Sequence, residues 1–224
     1  MFKFPWIRKP DFKQITLNYN EYWDQRGLHI KQNLRPREEI IFNSIPTQAT
    51  VIDIGCGNSA LPIKLKSKLC DVTVLDISDM MLREYNQHGI KTIIANIELL
   101  AKEDPLRKFK YNWVVLSEIL EHVRNPEEVI TYLKTHVDNF AITIPNSALY
   151  WFRLGLLING RFFTQWVHHP SEHLRFWSHI DFLDWLDAMG LKVEKAYPSN
   201  GPKHLKDFWP NMFGFQIVYI CSKK

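Results

Sequence analysis

The chain has 224 residues, 46% of them hydrophobic and 23% charged, enough for one substantial domain with a real core; its net charge of +4 is too mild to imply a nucleic-acid partner. Three cysteines (Cys56, Cys70, Cys221) are too few, and odd in number, for a disulfide framework, and they fit a reducing, cytoplasmic setting. No signal-peptide h-region, transmembrane-length apolar run, repeat or disordered tract is visible, so a soluble globular chain is expected.

Residues 1–17 read as a basic, aromatic arm ahead of a single domain spanning 18–224. Asn18 to Asn33 and Pro36 to Ile45 have helical patterns, with Pro36 suited to a first turn. The pattern then changes to short β-branched runs alternating with helices. Ala49–Ile54 is a strand, followed by a helix from Asn58 to Leu69 with Asn58 or Ser59 as its cap. Asp71–Leu75 is a second strand ending at Asp76, and a helix runs from Ser78 to His88. Ile90–Ala95 is the third strand, with a short helical segment at Ile97–Lys102. Tyr111–Leu116 is the fourth, followed by a helix opened by Asn125-Pro-Glu-Glu. Phe140–Ile144 is the fifth, stopped by Pro145. A helix at His179–Met189 closed by Gly190, and strands at Leu191–Ala196 and Phe215–Cys221, complete the order. Such alternation specifies an α/β, Rossmann-like, doubly wound and mostly parallel sheet.

Residues 147–178 interrupt the alternation with the apolar run 148–158, a Gly160-Arg161 turn and a histidine-rich stretch. The run reads first as a buried helix and second as a membrane-surface helix, since only Arg153 and Arg161 supply positive charge. Coming directly after the fifth strand, the insertion is placed to roof a site at the carboxyl ends of the strands. Aromatic residues are concentrated here. From Tyr150 to Phe215 there are two Tyr, five Trp and eight Phe, half of all the aromatics in under a third of the chain.

The chemistry-bearing motif is Val51-Ile-Asp-Ile-Gly-Cys-Gly-Asn-Ser-Ala60, at a strand-to-helix turn. Gly55 and Gly57 permit positive φ and close ligand approach, and the next helix start offers unpaired N–H groups. Asp76, nineteen residues past Gly57, ends the second strand, where a carboxylate can accept both ribose hydroxyls. Gly55-x-Gly57-x-x-Ala60 fits a dinucleotide fingerprint. Asp53-x-Gly55-x-Gly57 fits an S-adenosylmethionine loop. A carboxylate at Asp53 would repel a pyrophosphate but suits a zwitterion bearing a sulfonium, which favours the second.

VIDIGCGNS (51–59), VLDIS (74–78) and WVVLSEILEHVRNPEEVI (113–130) resemble the motifs of class I S-adenosylmethionine-dependent methyltransferases. Within that superfamily the chain is most similar to the MetW-like, methyltransferase type 11 group, on VVLSEIL with VRNPEE, ITIPNSALYWFRLGLLINGR (142–161), His173-Leu-Arg175 and Asp181-Phe182. The resemblance implies seven strands with an antiparallel last one, and S-adenosyl-L-methionine as cofactor. It implies that Asp53, Gly55, Cys56 and Gly57 cradle the donor's methionine part, that Asp76 holds the ribose, and that Ile77 lies against the adenine. Asn96, where the family usually has Asp, and Ile97 would meet the adenine; Ser117 and Glu118 would line the donor site. Tyr19, with Tyr22, Trp23 and Arg26, resembles a lid helix, although ordinary helix packing explains these residues equally well.

The expected function is methyl transfer through oxygen to a small polar acceptor, with an anionic metabolite or a glycan precursor as the candidate classes. An oxygen acceptor needs a base, and His122 is the candidate by position; the alternative is that Leu-Glu-His simply begins a helix. Arg153, Trp166, His169, His173 and Arg175 are candidate acceptor contacts. His168, His169, Glu172 and His173 are spaced too compactly for a standard metal pattern and no Cys joins them, so no metal is expected. Trp151, Phe152, Phe162, Phe163 and Trp166 should wall a dry chamber, while Phe182, Trp185 and Phe215 pack on the sheet. The resemblance also implies a rival of another class, a non-catalytic partner of an acyltransferase in methionine biosynthesis.

Overall fold

The computed structural model describes residues 19–26, 29–160, 162 and 172–224. In chain order these form α1 (Tyr19–Arg26), α2 (Pro36–Ser44), β1 (Thr50–Ile54), α3 (Leu61–Ser67), β2 (Asp71–Asp76), α4 (Asp79–Gln87) and β3 (Lys91–Ile94). A 3-10 turn (Ile97–Leu99), α5 (Leu100–Glu103), β4 (Tyr111–Ser117), a second 3-10 turn (Leu120–His122), α6 (Pro126–Leu133) and β5 (Val137–Pro145) follow. The chain ends with α7 (Tyr150–Asn159), α8 (His179–Ala188), β6 (Leu191–Pro198), α9 (Leu205–Phe208), α10 (Pro210–Phe213) and β7 (Gln216–Lys223).

The seven strands form one sheet in the order β3-β2-β1-β4-β5-β7-β6, with β7 antiparallel to both neighbours and the pairings from β3 to β5 parallel. From β1 the chain winds outward through β2 and β3, then crosses back to β4 and β5. The β1/β4 boundary is therefore the point where strand order reverses, and ligands bind there in open α/β sheets. Side chains alternate faces along each strand. Ile52 and Ile54 pack with Leu120, Ile130, Leu133 and Phe182 on one side, and Val51 packs with Ile41, Leu61 and Met81 on the other. Both faces of the sheet are thus covered by helices.

Most caps follow the local sequence. Ser78 Oγ accepts from Met81 N–H, Asn125 Oδ1 accepts from Glu128 N–H, and Pro36 occupies the first turn of α2. Two expectations need correction. Helix α1 stops at Arg26, and residues 29–33 are not helical; Lys31 N–H instead donates to the Asn58 carbonyl at 3.0 Å. Helix α3 starts at Leu61, capped by neither Asn58 nor Ser59 in the usual way, and Ser59 Oγ accepts from Leu61 N–H, only two residues on. The first turn is consumed by the glycine loop.

A bridge between Asn146 and Trp177 closes the base of the insertion, and Ser147 N–H donates to the Trp177 carbonyl at 2.8 Å. Helix α7 within it is not the buried helix expected. Gly155 is buried, but Leu156, Leu157 and Ile158 face outward, Leu157 being 82% exposed. Among the described residues no helix is long and apolar enough to cross a membrane.

Candidate functional site

The carboxyl ends of β1 to β5 open into one cleft of about 1640 Å³, running from the Gly55–Ser59 loop to His122 and His173. Its donor-side wall is assembled by backbone geometry. Gly55 and Gly57 adopt φ of +70° and +47°. A side chain at Gly57 would lie 2.6 Å from the Trp23 indole of α1, so only glycine lets that ring close over the loop. The loop is held from below by Tyr85, fully buried, whose hydroxyl is 2.7 Å from the Ser59 carbonyl and 3.0 Å from that of Gly57.

Asp76 lies at the end of β2, 7% exposed. Its Oδ2 accepts from Gly57 N–H at 3.1 Å and its Oδ1 from Ser78 N–H at 2.9 Å. Burial pushes its pKa up, against the pull of these N–H groups. Asp53 is buried beneath the loop and held well above the ordinary carboxylate range, by burial first and then by Glu38 and Asp76. Glu38, buried on α2, accepts from Ser59 Oγ (3.0 Å) and Arg35 N–H (2.8 Å). The Cys56 thiol, 3.9 Å from Asp76, is raised well above its usual value by burial, Asp76 and Asp53; it packs as a thiol and is no nucleophile.

These features test whether an S-adenosylmethionine molecule fits. Two carboxylates disfavoured as anions by burial are matched by a ligand bearing a sulfonium and an ammonium. The two glycines allow the loop its positive-φ turn, with Ile119 and Trp23 packed where their side chains would be, and Asp76 stands at the strand end where ribose hydroxyls would come. The residues present fit this donor.

The remaining donor-side candidates also reach the cleft. Tyr19, Ile77, Asn96, Ile97, Ser117 and Glu118 all line it. Ile77 is 45% exposed, available to a flat ring. Asn96 caps the 3-10 turn, its Oδ1 accepting from Glu98 N–H at 3.0 Å, so the amide is oriented by its own loop. Ser117 Oγ is 3.3 Å from Arg37 Nε, and Glu118 forms an ion pair with Arg37 Nη2 at 2.8 Å. Glu118 also accepts from Gln216 Nε2, joining α2, β4 and β7 around one carboxylate. It holds φ +55°, an unusual strain for a non-glycine residue at the mouth of a site.

The acceptor side departs further from expectation. His122 and His173 line the cleft with rings edge to face at 4.6 Å. His122 Nδ1 meets the Glu172 carbonyl. Burial lowers both pKa values, that of His173 to about 3, with His122 adding to the effect on His173. Arg153 is turned away, its guanidinium on the carbonyls of Ala148 and Asn211. Arg175 bonds the Arg124 carbonyl and lies 4.0 Å from Glu127. Neither arginine lines the cleft. Trp166 and His169, with His168 and Phe163, lie outside the described residues, as do the side chains of Tyr22 and Arg26.

Of the chamber aromatics, Trp151 and Phe152 do line the cleft, whereas Phe162 is 77% exposed. Phe182 and Trp185 stack at 5.2 Å against the sheet as expected, but Phe215 belongs to the cleft wall. Arg37, Glu38, Tyr85, Glu121 and Gln216 were missed as site residues. Only Glu121 had a local signal, in Leu-Glu-His; the others reach the site from helices or a strand whose patterns mark core.

A family model described as Methionine biosynthesis protein MetW matches residues 35–221. The ubiquinone biosynthesis O-methyltransferase of Hydrogenovibrio crunogenus is 31% identical over 127 residues, 54% of this chain and about half (51%) of that protein. Its counterpart from Xylella fastidiosa is 29% identical over 203 residues, covering 84% of this chain and 80% of that protein. Among solved structures, the 1,6-didemethyltoxoflavin-N1-methyltransferase of Burkholderia thailandensis superposes with a TM-score of 0.64 at 13% identity, covering 96% of this chain and 94% of that one. The TehB-like SAM-dependent methyltransferase of Corynebacterium glutamicum gives 0.61 at 14% identity, covering 92% and 98%. Fold, glycine loop and family match agree: the chain belongs to the MetW family, within the class I S-adenosylmethionine-dependent methyltransferases.

Proposed function

We propose that the protein uses S-adenosylmethionine to methylate an oxygen of a small polar acceptor. The observation that carries this is the single continuous cleft, with buried Asp53 and Asp76 at one end and Glu121, His122 and His173 at the other. At about 1640 Å³ it exceeds the roughly 300–1,000 Å³ of a one-ligand site, leaving room for a donor and an acceptor together. The donor supplies a methyl group already activated on a sulfonium, so the protein's task is alignment in a dry site.

In this proposal Asp76 holds the donor's ribose, Asp53 offsets its positive charge from beneath the glycine loop, and Ile77 with Asn96 receives the adenine. Trp23 and Tyr19 cover the loop, while Trp151 and Phe152 keep water from the acceptor end. Support for oxygen as the acceptor atom comes from relatives named as O-methyltransferases.

A second reading rests on the family's description as a methionine biosynthesis protein. In it the same donor site serves a partner of an acyltransferase without turnover. Incubating the chain with methyl-labelled donor and a metabolite extract separates the two. A labelled small molecule that depends on intact Asp76 supports the enzyme; label that stays in the donor, with an acyltransferase co-purifying, supports the partner.

A further inference from the structure

The acceptor end of the cleft contains a group of side chains that methyl transfer by alignment does not need. Glu121 is 1% exposed, and its Oε2 is buried without a hydrogen-bond partner. His173 Nδ1 is likewise buried and unpartnered. One possible ligand atom from each of Glu121, His122 and His173 lies within 4.8 Å of the other two. A buried carboxylate oxygen with nothing to accept from is costly, and here it shares a pocket with two imidazoles that carry lone pairs.

Local bonding has already oriented these groups. The Glu172 carbonyl can only accept, so His122 Nδ1 carries the proton and Nε2 presents a lone pair. Metal-binding histidines are commonly fixed in this way by a backbone carbonyl on the second nitrogen. The two segments are clamped together by Leu174 and Arg175, whose N–H groups donate to the Glu121 carbonyl at 2.7 and 3.1 Å. In the sequence His122 and His173 are far apart and show no metal-ligand spacing. Folding alone joins them.

We propose that Glu121, His122 and His173 bind a divalent first-row transition ion at the acceptor end of the cleft. Two imidazole nitrogens and one carboxylate oxygen suit Zn²⁺, Mn²⁺ or Fe²⁺, and suit Mg²⁺ or Ca²⁺ poorly. At bond lengths of about 2.1 Å, two ligands of one ion are at most about 4.2 Å apart, so small side-chain adjustments complete the set. Three protein ligands leave positions open toward the cleft, where an acceptor oxygen can bind. That last role, unlike the ion binding itself, rests on the methyltransferase proposal. With the ion in place, His122 is a ligand and not the base. The acceptor O–H, polarised by the ion, loses its proton to solvent at the open mouth of the cleft as the acceptor binds, before the site is dry; its oxygen then bonds the methyl carbon, and the C–S electron pair returns to sulfur as a neutral thioether.

The test uses untagged full-length chain stripped with chelator, then equilibrated with Zn²⁺ and, separately, with Co²⁺ as a spectroscopic probe. We expect one ion per chain by elemental analysis, and a visible d–d absorption from bound Co²⁺. Glu121→Gln and His173→Gln should each weaken Zn²⁺ binding at least tenfold, while S-adenosylhomocysteine affinity, measured separately, stays within about twofold. Thermal melts check folding, and His173→Gln alone decides if Glu121→Gln does not fold. Absence of stoichiometric ion, or affinity unchanged in folded His173→Gln, overturns the site. Failure of the metal site would leave donor binding intact; failure of the methyltransferase proposal would show as no methylated product from labelled donor, with the metal retained.

Discussion

The two ends of the cleft are built by different means. At the donor end, the legible residues, Asp53, Asp76, Ile77, Asn96, Ser117 and Glu118, sit at strand ends or in the turns that follow, so their places are set by two or three neighbouring residues. At the acceptor end, the side chains come from segments 50 residues apart that meet only after the insertion folds back onto the turn after β4. The difference teaches that a strand-end site is a local property, whereas a roofed site depends on tertiary contacts that leave no periodic mark.

The aromatic-rich end divides further into core and chamber, and the largest expected effect tests that division. Phe182 is fully buried against Trp177, Trp185 and Tyr219. Phe182→Ala should destabilise by about 3–5 kcal/mol, read by denaturant titration. Trp151→Ala should leave the unfolding midpoint nearly unchanged and reduce turnover. Equal stability losses would mean that the aromatic-rich end is all core.

Next is the donor end itself. Asp76→Ala removes the acceptor of two expected ribose hydrogen bonds and should weaken S-adenosylhomocysteine binding about a hundredfold, or about 3 kcal/mol. Arg37→Ala should cost somewhat less, about 2–3 kcal/mol of stability, because it leaves Glu118 without its partner beside buried Glu121. A double-mutant cycle with Glu118→Gln should recover much of that loss.

Asp53 supplies a pH-dependent prediction. Its folded pKa lies well above its unfolded value, so across the interval between the two the folded state binds more protons. Stability therefore falls as pH rises through that interval. Asp53→Asn should raise the melting temperature at neutral pH, with the gain shrinking as the pH drops toward about 4, and it should weaken donor binding. A Tm difference independent of pH would contradict this. The smallest effect belongs to Arg153, which is held on backbone carbonyls outside the cleft. Arg153→Ala should shift stability by about 0.5 kcal/mol or less and leave KM for the acceptor unchanged.

These contrasts also show why the sequence was legible at one end and not at the other. Strand alternation predicted the sheet, and the positions of Gly55, Gly57 and Asp76 follow from the turn chemistry between β1 and β2. Arg37 and Glu38 were hidden because they sit on a helix whose pattern marks packing, and the Arg37–Ser117 contact joins residues 80 apart. Arg153 and Arg175 misled because an arginine in an insertion looks like a ligand contact, yet a nearby backbone carbonyl satisfies a guanidinium just as well. Helix α7 misled in the opposite sense, since its apolar run predicted burial while Leu156 to Ile158 face outward.

The most direct test of the donor site is calorimetric titration of S-adenosylhomocysteine into the full chain and into Asp76→Ala. One binding site per chain in the parent protein, lost or weakened about a hundredfold in the variant, is the predicted result. No binding to the parent chain, or equal binding to both proteins, would contradict the assignment of the Gly55–Asp76 cleft to the methyl donor.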